Sequence, residues 1–116
     1  MELRTVNRAA LVVKPKQPYV DWANHLNDGG PTLLFESARQ DPDVFLVDDL
    51  QNDSDKQKIV LKYYTMIFQH ELAAWTTDRD SWPSQLDLRT FKLWFDVDIS
   101  SIVFDIAPDP LLQEQF

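Results

Sequence analysis

Between Asp55 and Trp75, the residues Val60, Leu61, Tyr64, Ile67, Phe68, Leu72 and Trp75 recur at helical spacing. One carboxylate, Glu71, falls near the centre of the apolar face they form. A carboxylate in that setting needs a partner or a shifted pKa. Two kinds of chemistry are open to it. It could be a general base whose proton affinity is raised by apolar surroundings, or a structural group bonded to an indole or to a cation. The structural role is the commoner one, and Arg8, beside the first strand, is the expected cation.

His70 directly precedes Glu71 and opens like a helical zinc motif. The second histidine that would put two imidazoles on one face is replaced by Ala74. His25, the other imidazole, lies far away in sequence beside Trp22 and Leu26, and two separated histidines do not make a metal centre. The aspartates Asp48, Asp49, Asp53 and Asp55 have the density of a calcium loop without its pattern. Loop positions six and twelve hold Asp53 and Ile59, or Ser54 and Val60, where glycine and glutamate are required. No serine sits in a Gly-x-Ser-x-Gly elbow. The reading therefore assigns no catalytic residue, no metal and no cofactor. Glu71, His70 and His25 stand as the candidate functional or buried polar side chains. Trp75, Arg79 and Trp82 form a candidate interaction surface, since tryptophan beside arginine is the composition of binding hot spots.

The elements that must position these groups follow from patterning. Ala9 to Val13 is a continuous apolar run closed by Lys14-Pro15, as in a central buried strand. After Pro18, Tyr19, Trp22, Ala23 and Leu26 recur at helical spacing, with Gly29 as the C-cap. Thr32 is placed to cap a short helix through Leu33, Leu34, Phe35 and Ala38, ended by Asp41-Pro42. Val44 to Val47 reads as a second strand, followed by N-cap candidates Asn52, Asp53 and Ser54 for the long helix. Trp82-Pro83 lies in a loop expected to fold back. Asp87 then caps a last helix whose apolar side is Leu88, Phe91, Leu93, Trp94 and Phe95. A third strand from Asp96 changes phase. Val97 and Ile99 share one parity and Ile102, Phe104 and Ile106 the other, so a bulge near Ser100-Ser101 is expected to return all five to the core.

This order predicts an α+β fold, with a three-stranded sheet packed against one long helix and two or three shorter ones. A parallel pairing of the first two strands is open through a helical crossover. Val12, Trp22, Phe45, Tyr64, Phe68, Trp94 and Phe104 are the expected core. One domain spans residues 1–116, with 107–116 extended or frayed, because 116 residues suffice for a single core and no repeat or linker interrupts them.

The chain has no cysteine, which removes disulfide and thiolate chemistry and fits a reducing compartment. No signal-peptide or bilayer-spanning run is visible, so a cytoplasmic location without membrane association is expected. Net charge is −8, and the stretch from Asp21 to Asp55 holds nine acidic residues against Arg39 alone. Direct binding to nucleic-acid phosphates is disfavoured.

Several segments together have a distinctive layout: Arg8-Ala9-Ala10-Leu11-Val12-Val13-Lys14-Pro15 with Lys16-Gln17-Pro18-Tyr19-Val20-Asp21-Trp22, Phe68-Gln69-His70-Glu71-Leu72-Ala73-Ala74-Trp75, Trp82-Pro83, and Thr90-Phe91-Lys92-Leu93-Trp94-Phe95-Asp96-Val97. This layout resembles a family of small, acidic, uncharacterised bacterial proteins. The resemblance implies no activity and transfers no site residue. The expected function is that of a small non-catalytic interaction or regulatory protein with a possible protein partner. The alternatives are an enzyme built on Glu71, or an acidic nucleic-acid mimic using the Asp41 to Asp55 cluster.

Overall fold

A computed structural model describes residues 3–26 and 30–115. The fold is α+β. Its centre is a three-stranded sheet made by β2 (Arg8–Pro15), β3 (Asp43–Asp48) and β4 (Phe95–Ser100), in the order β3-β2-β4. The strand read as central is therefore central. Both of its neighbours run antiparallel to it, with Val13 opposite Asp43 on one side and Val97 on the other. The parallel alternative is thus corrected. The chain between β2 and β3 returns without crossing over the sheet, and antiparallel ladders need no crossover helix. A separate ribbon pairs β1 (Arg4–Thr5) with β5 (Phe104–Asp105).

Helix α1 (Gln17–Leu26) starts with Pro18 in its first turn and buries Tyr19, Val20 and Ala23. The expected Gly29 cap lies outside the described residues. Helix α2 is shorter than its apolar run, Phe35–Ala38. Leu33 and Leu34 stay outside it, and the Leu33 N–H bonds the Asn24 side-chain oxygen in place of a Thr32 cap. Helix α3 (Asp55–Ala73) buries Ile59, Ile67, Phe68, Glu71 and Leu72. Helix α4 (Leu88–Trp94) is capped as expected, with Asp87 accepting from the Thr90 N–H at 2.8 Å.

One face of the sheet, carrying Ala9, Leu11, Val13 and Val47, packs against Tyr19, Ile67, Phe68, Leu72 and Phe91. Phe68 sits at the hub, with its ring 5.7 Å from Phe91 and Phe95 and 5.8 Å from Trp94. Of the expected core residues Phe68 is fully buried, Trp22, Phe45, Tyr64 and Trp94 are partly buried against the core, and Val12 and Phe104 depart from it. Val12 points to the opposite face and is only partly buried, because alternate strand residues face opposite ways. Trp22 is half-buried at the margin, its indole N–H donating to the Ser81 carbonyl. Phe104 is 55% exposed. Its exposure reflects the end of β4 at Ser100. The chain does not bulge and continue. It breaks, and Ile102, Phe104 and Ile106 leave the core with the ribbon.

Candidate functional site

Glu71 lies in the last two turns of α3, on the helix face that meets the sheet, and is 9% exposed. Asp43 is the first residue of β3 and lies on the same side of that strand as Phe45 and Val47. The end of the helix therefore meets the start of the strand, and two carboxyl groups come together there with His70. One ligating atom from each of Asp43, His70 and Glu71 lies within 4.8 Å of the other two. The His70 Nε2 stands 3.8 Å from the Asp43 Oδ2, and its ring is perpendicular to that of Phe45, with centroids 5.8 Å apart.

A small cleft of about 180 Å³ opens beside the carboxyls, lined by Tyr19, Pro42, Asp43, Glu71, Trp75 and Phe95 among others. Tyr19 closes one wall. Its hydroxyl donates to the Glu71 backbone carbonyl at 2.6 Å, which ties α1 to the end of α3. Burial, with the neighbouring Glu71 charge, lifts the Tyr19 hydroxyl above its ordinary value, so it remains a donor throughout the physiological range.

Burial also governs Glu71. It pushes the carboxyl up from its ordinary 4.5 to about 8, and the Asp43 carboxyl, hydrogen-bonded to it and alike in charge, adds to the rise. Among the described residues no lysine or arginine pairs with Glu71. The expected partner, Arg8, is exposed and donates to the Asn7 carbonyl. Arg39, the basic residue of the acidic stretch, bonds Asp96 at 2.8 Å and the Pro15 carbonyl at 2.9 Å. The buried carboxylate is therefore compensated by a proton held within an acid pair, an arrangement suited to proton exchange and to cation capture.

The other candidates fall elsewhere. His25 is exposed in the last turn of α1 and does not join the cluster. Trp75 is 39% exposed and borders the cleft with Tyr19. Trp82 folds back as its loop was expected to. Its indole N–H donates to the Thr76 carbonyl, and the Arg79 guanidinium lies 5.1 Å above the ring. Asp48, the last residue of β3, is held by Lys62 at 2.7 Å and by the Tyr63 hydroxyl. Asp55, the first residue of α3, accepts from the Gln51 and Asn52 backbone N–H groups in the loop before the helix, whereas the N-cap Ser54 makes no side-chain capping bond. Sequence reasoning missed Asp43 and Tyr19. Each reaches Glu71 from a different element, and no spacing along the chain signals that meeting.

Compared with known protein families, with curated proteins and with solved structures, the chain matches none. No described helix is long and apolar enough to cross a membrane.

Proposed function

We propose that this protein is a small non-catalytic interaction or regulatory module that docks a protein partner through the β1–β5 ribbon. The observation that carries this reading is the ribbon's apolar side. Thr5 pairs with Phe104, so Leu3 and Ile106 follow on the same face by strand alternation. Leu3, Phe104 and Ile106 are 65%, 55% and 66% exposed, and adjacent Ile102 is 63% exposed. A two-stranded ribbon is marginal by itself in water, and clustered large apolar side chains on it favour a partner that covers them. The opposite face carries Arg4 and Asp105. The Arg4 guanidinium donates to the Ala107 carbonyl, which holds the ribbon together without using the apolar side.

The partner is taken to be apolar where it meets the ribbon, and the net charge of −8 makes a polyphosphate surface an unfavourable one. A cytoplasmic setting and kinship with the small acidic bacterial family belong to the same proposal. The first occupant to test is a second copy of the chain. Sedimentation of the wild type and of the Phe104→Asp/Ile106→Asp variant should show association that rises with concentration only in the former. If both sediment identically as monomers and the variant binds the protein's cellular partners as well as the wild type does, the ribbon is not the docking element.

A second reading, catalysis with Glu71 as general acid or base, is favoured by the acid pair bordering a cleft. It requires an activity that Glu71→Gln abolishes while leaving the fold intact.

A further inference from the structure

We propose that Asp43, His70 and Glu71 form a binding site for a divalent cation of the zinc class. This inference is independent of the ribbon and stands or falls separately from it. Three ligating atoms, two carboxylate oxygens and one imidazole nitrogen, already lie within 4.8 Å of one another. In a tetrahedral site with bonds of about 2.1 Å, ligating atoms stand roughly 3.4 Å apart. The 3.8 Å between His70 Nε2 and Asp43 Oδ2 is close to that edge. The Glu71 carboxylate oxygen lies within 4.8 Å of both the His70 nitrogen and the Asp43 oxygen, close enough for the remaining two edges to tighten around an ion.

The surroundings point the same way. Glu71 is nine-tenths buried and lines the cleft, yet among the described residues no lysine or arginine pairs with it. Beside its carboxyl stands a second acid, Asp43. A doubly charged ion between the two carboxylates replaces their repulsion with attraction to a common centre, as buried charges require. The ligands also come from rigid elements. Asp43 is fixed by the pairing of β3 with β2, and Glu71 by its place in α3, whose backbone Tyr19 tethers. His70 is oriented by Phe45 and reaches the same point from the solvent side.

The ligand set selects the ion. Calcium and magnesium prefer oxygen ligands only, in greater number than this site offers, whereas an imidazole nitrogen with carboxylates suits zinc and neighbouring first-row ions. Three protein ligands leave at least one position open toward the cleft, which has room for water. Along the helix itself no second ligand follows His70 one turn on, since Ala74 stands four residues on. Here that ligand comes from a strand.

The test is calorimetric titration of zinc chloride into the chelator-treated full chain at pH 7.5. One equivalent should bind, and the melting temperature should rise with added zinc. His70→Ala, Asp43→Asn and Glu71→Gln should each weaken binding about tenfold or more, with circular dichroism confirming that each is folded. His25→Ala should leave affinity unchanged. Cobalt in place of zinc should give visible absorption bands that His70→Ala removes. The proposal is overturned if zinc fails to saturate one site below about 1 mM. It is equally overturned if the three folded variants bind as the wild type does, if His25→Ala abolishes binding, or if calcium or magnesium binds more tightly than zinc.

Discussion

Replacing Glu71 with glutamine isolates the energetic effect of a carboxyl held without a basic partner. In the metal-free protein the folded state holds the Glu71 proton up to about pH 8, while the unfolded chain releases it near 4.5. A raised folded pKa means that the folded state binds the extra proton. Stability from this group is thus fully present below about pH 4.5 and falls as pH rises toward 8. At 1.36 kcal/mol per pKa unit, the loss is about 3 kcal/mol at pH 7 and approaches 5 above pH 8, but less than about 1 at pH 5. Glutamine cannot ionise, nearly preserves the shape, and gives Asp43 a donor. Some of the gain is offset by the cost of burying an amide. Glu71→Gln should therefore be more stable than wild type by about 1 to 3 kcal/mol at pH 8, and nearly equal to it at pH 5. Denaturant titrations of both proteins in chelator at the two pH values give this difference, and carboxylates common to both cancel out. A loss exceeding about 1 kcal/mol at pH 8 would refute the reasoning, since it would mean that the charge has a cationic partner after all. A gain of equal size at both pH values would refute it too, because the effect would then not be ionisation.

Three further outcomes are expected. Trp22→Ala should cost about 2 to 4 kcal/mol in a denaturant titration, because the ring packs 5.7 Å from Tyr19 and 5.9 Å from Trp94, and its N–H bond to Ser81 is lost. Phe104→Asp should change stability by less than about 1 kcal/mol, since the side chain is largely in water, and a larger loss in the same titration would place it in the core. Asp87→Ala should lower the melting temperature at neutral pH. The Thr90 bonds hold the Asp87 carboxyl below its ordinary 3.8, so its contribution is present above that value and disappears as acid protonates it; an effect that persists unchanged at pH 2 would contradict the cap.

The parts of the fold legible in the sequence are those fixed by local physics. Apolar runs of strand length gave β2 and β3, the Tyr19, Trp22, Ala23 and Leu26 period gave α1, and an aspartate three residues before Thr90 gave a working cap. The period around Glu71 correctly anticipated a buried carboxylate, although on the same helix Leu61 is 61% exposed and Ile59 is buried in its place. The 3.6-residue period locates a face without fixing its width. What the sequence left open is decided between elements. The antiparallel pairing, the Asp43–Glu71 contact and the break after Ser100 each depend on which surfaces meet. Arg8 adjoins the first strand and so suggests itself as the Glu71 partner, but it flanks the far end of β2, opposite Asp48, while Glu71 lies near the end that faces Asp43.

The antiparallel order β3-β2-β4 also bears on how the chain is assembled. The central strand precedes both of its neighbours in the chain, yet one of its edges is completed only by residues 95–100. Pro15 pairs with Phe95, so almost the whole domain must be made before the inner strand has both neighbours. Until then Leu11 and Val13 have one ladder and half a floor. Contacts so distant in sequence slow folding, because the loop between them must close before they contribute. Until residues 95–100 are made, the growing chain consequently exposes an apolar strand with a free edge, and Lys14-Pro15 at one end and Arg8 at the other are the residues placed to keep that edge from pairing with a second chain.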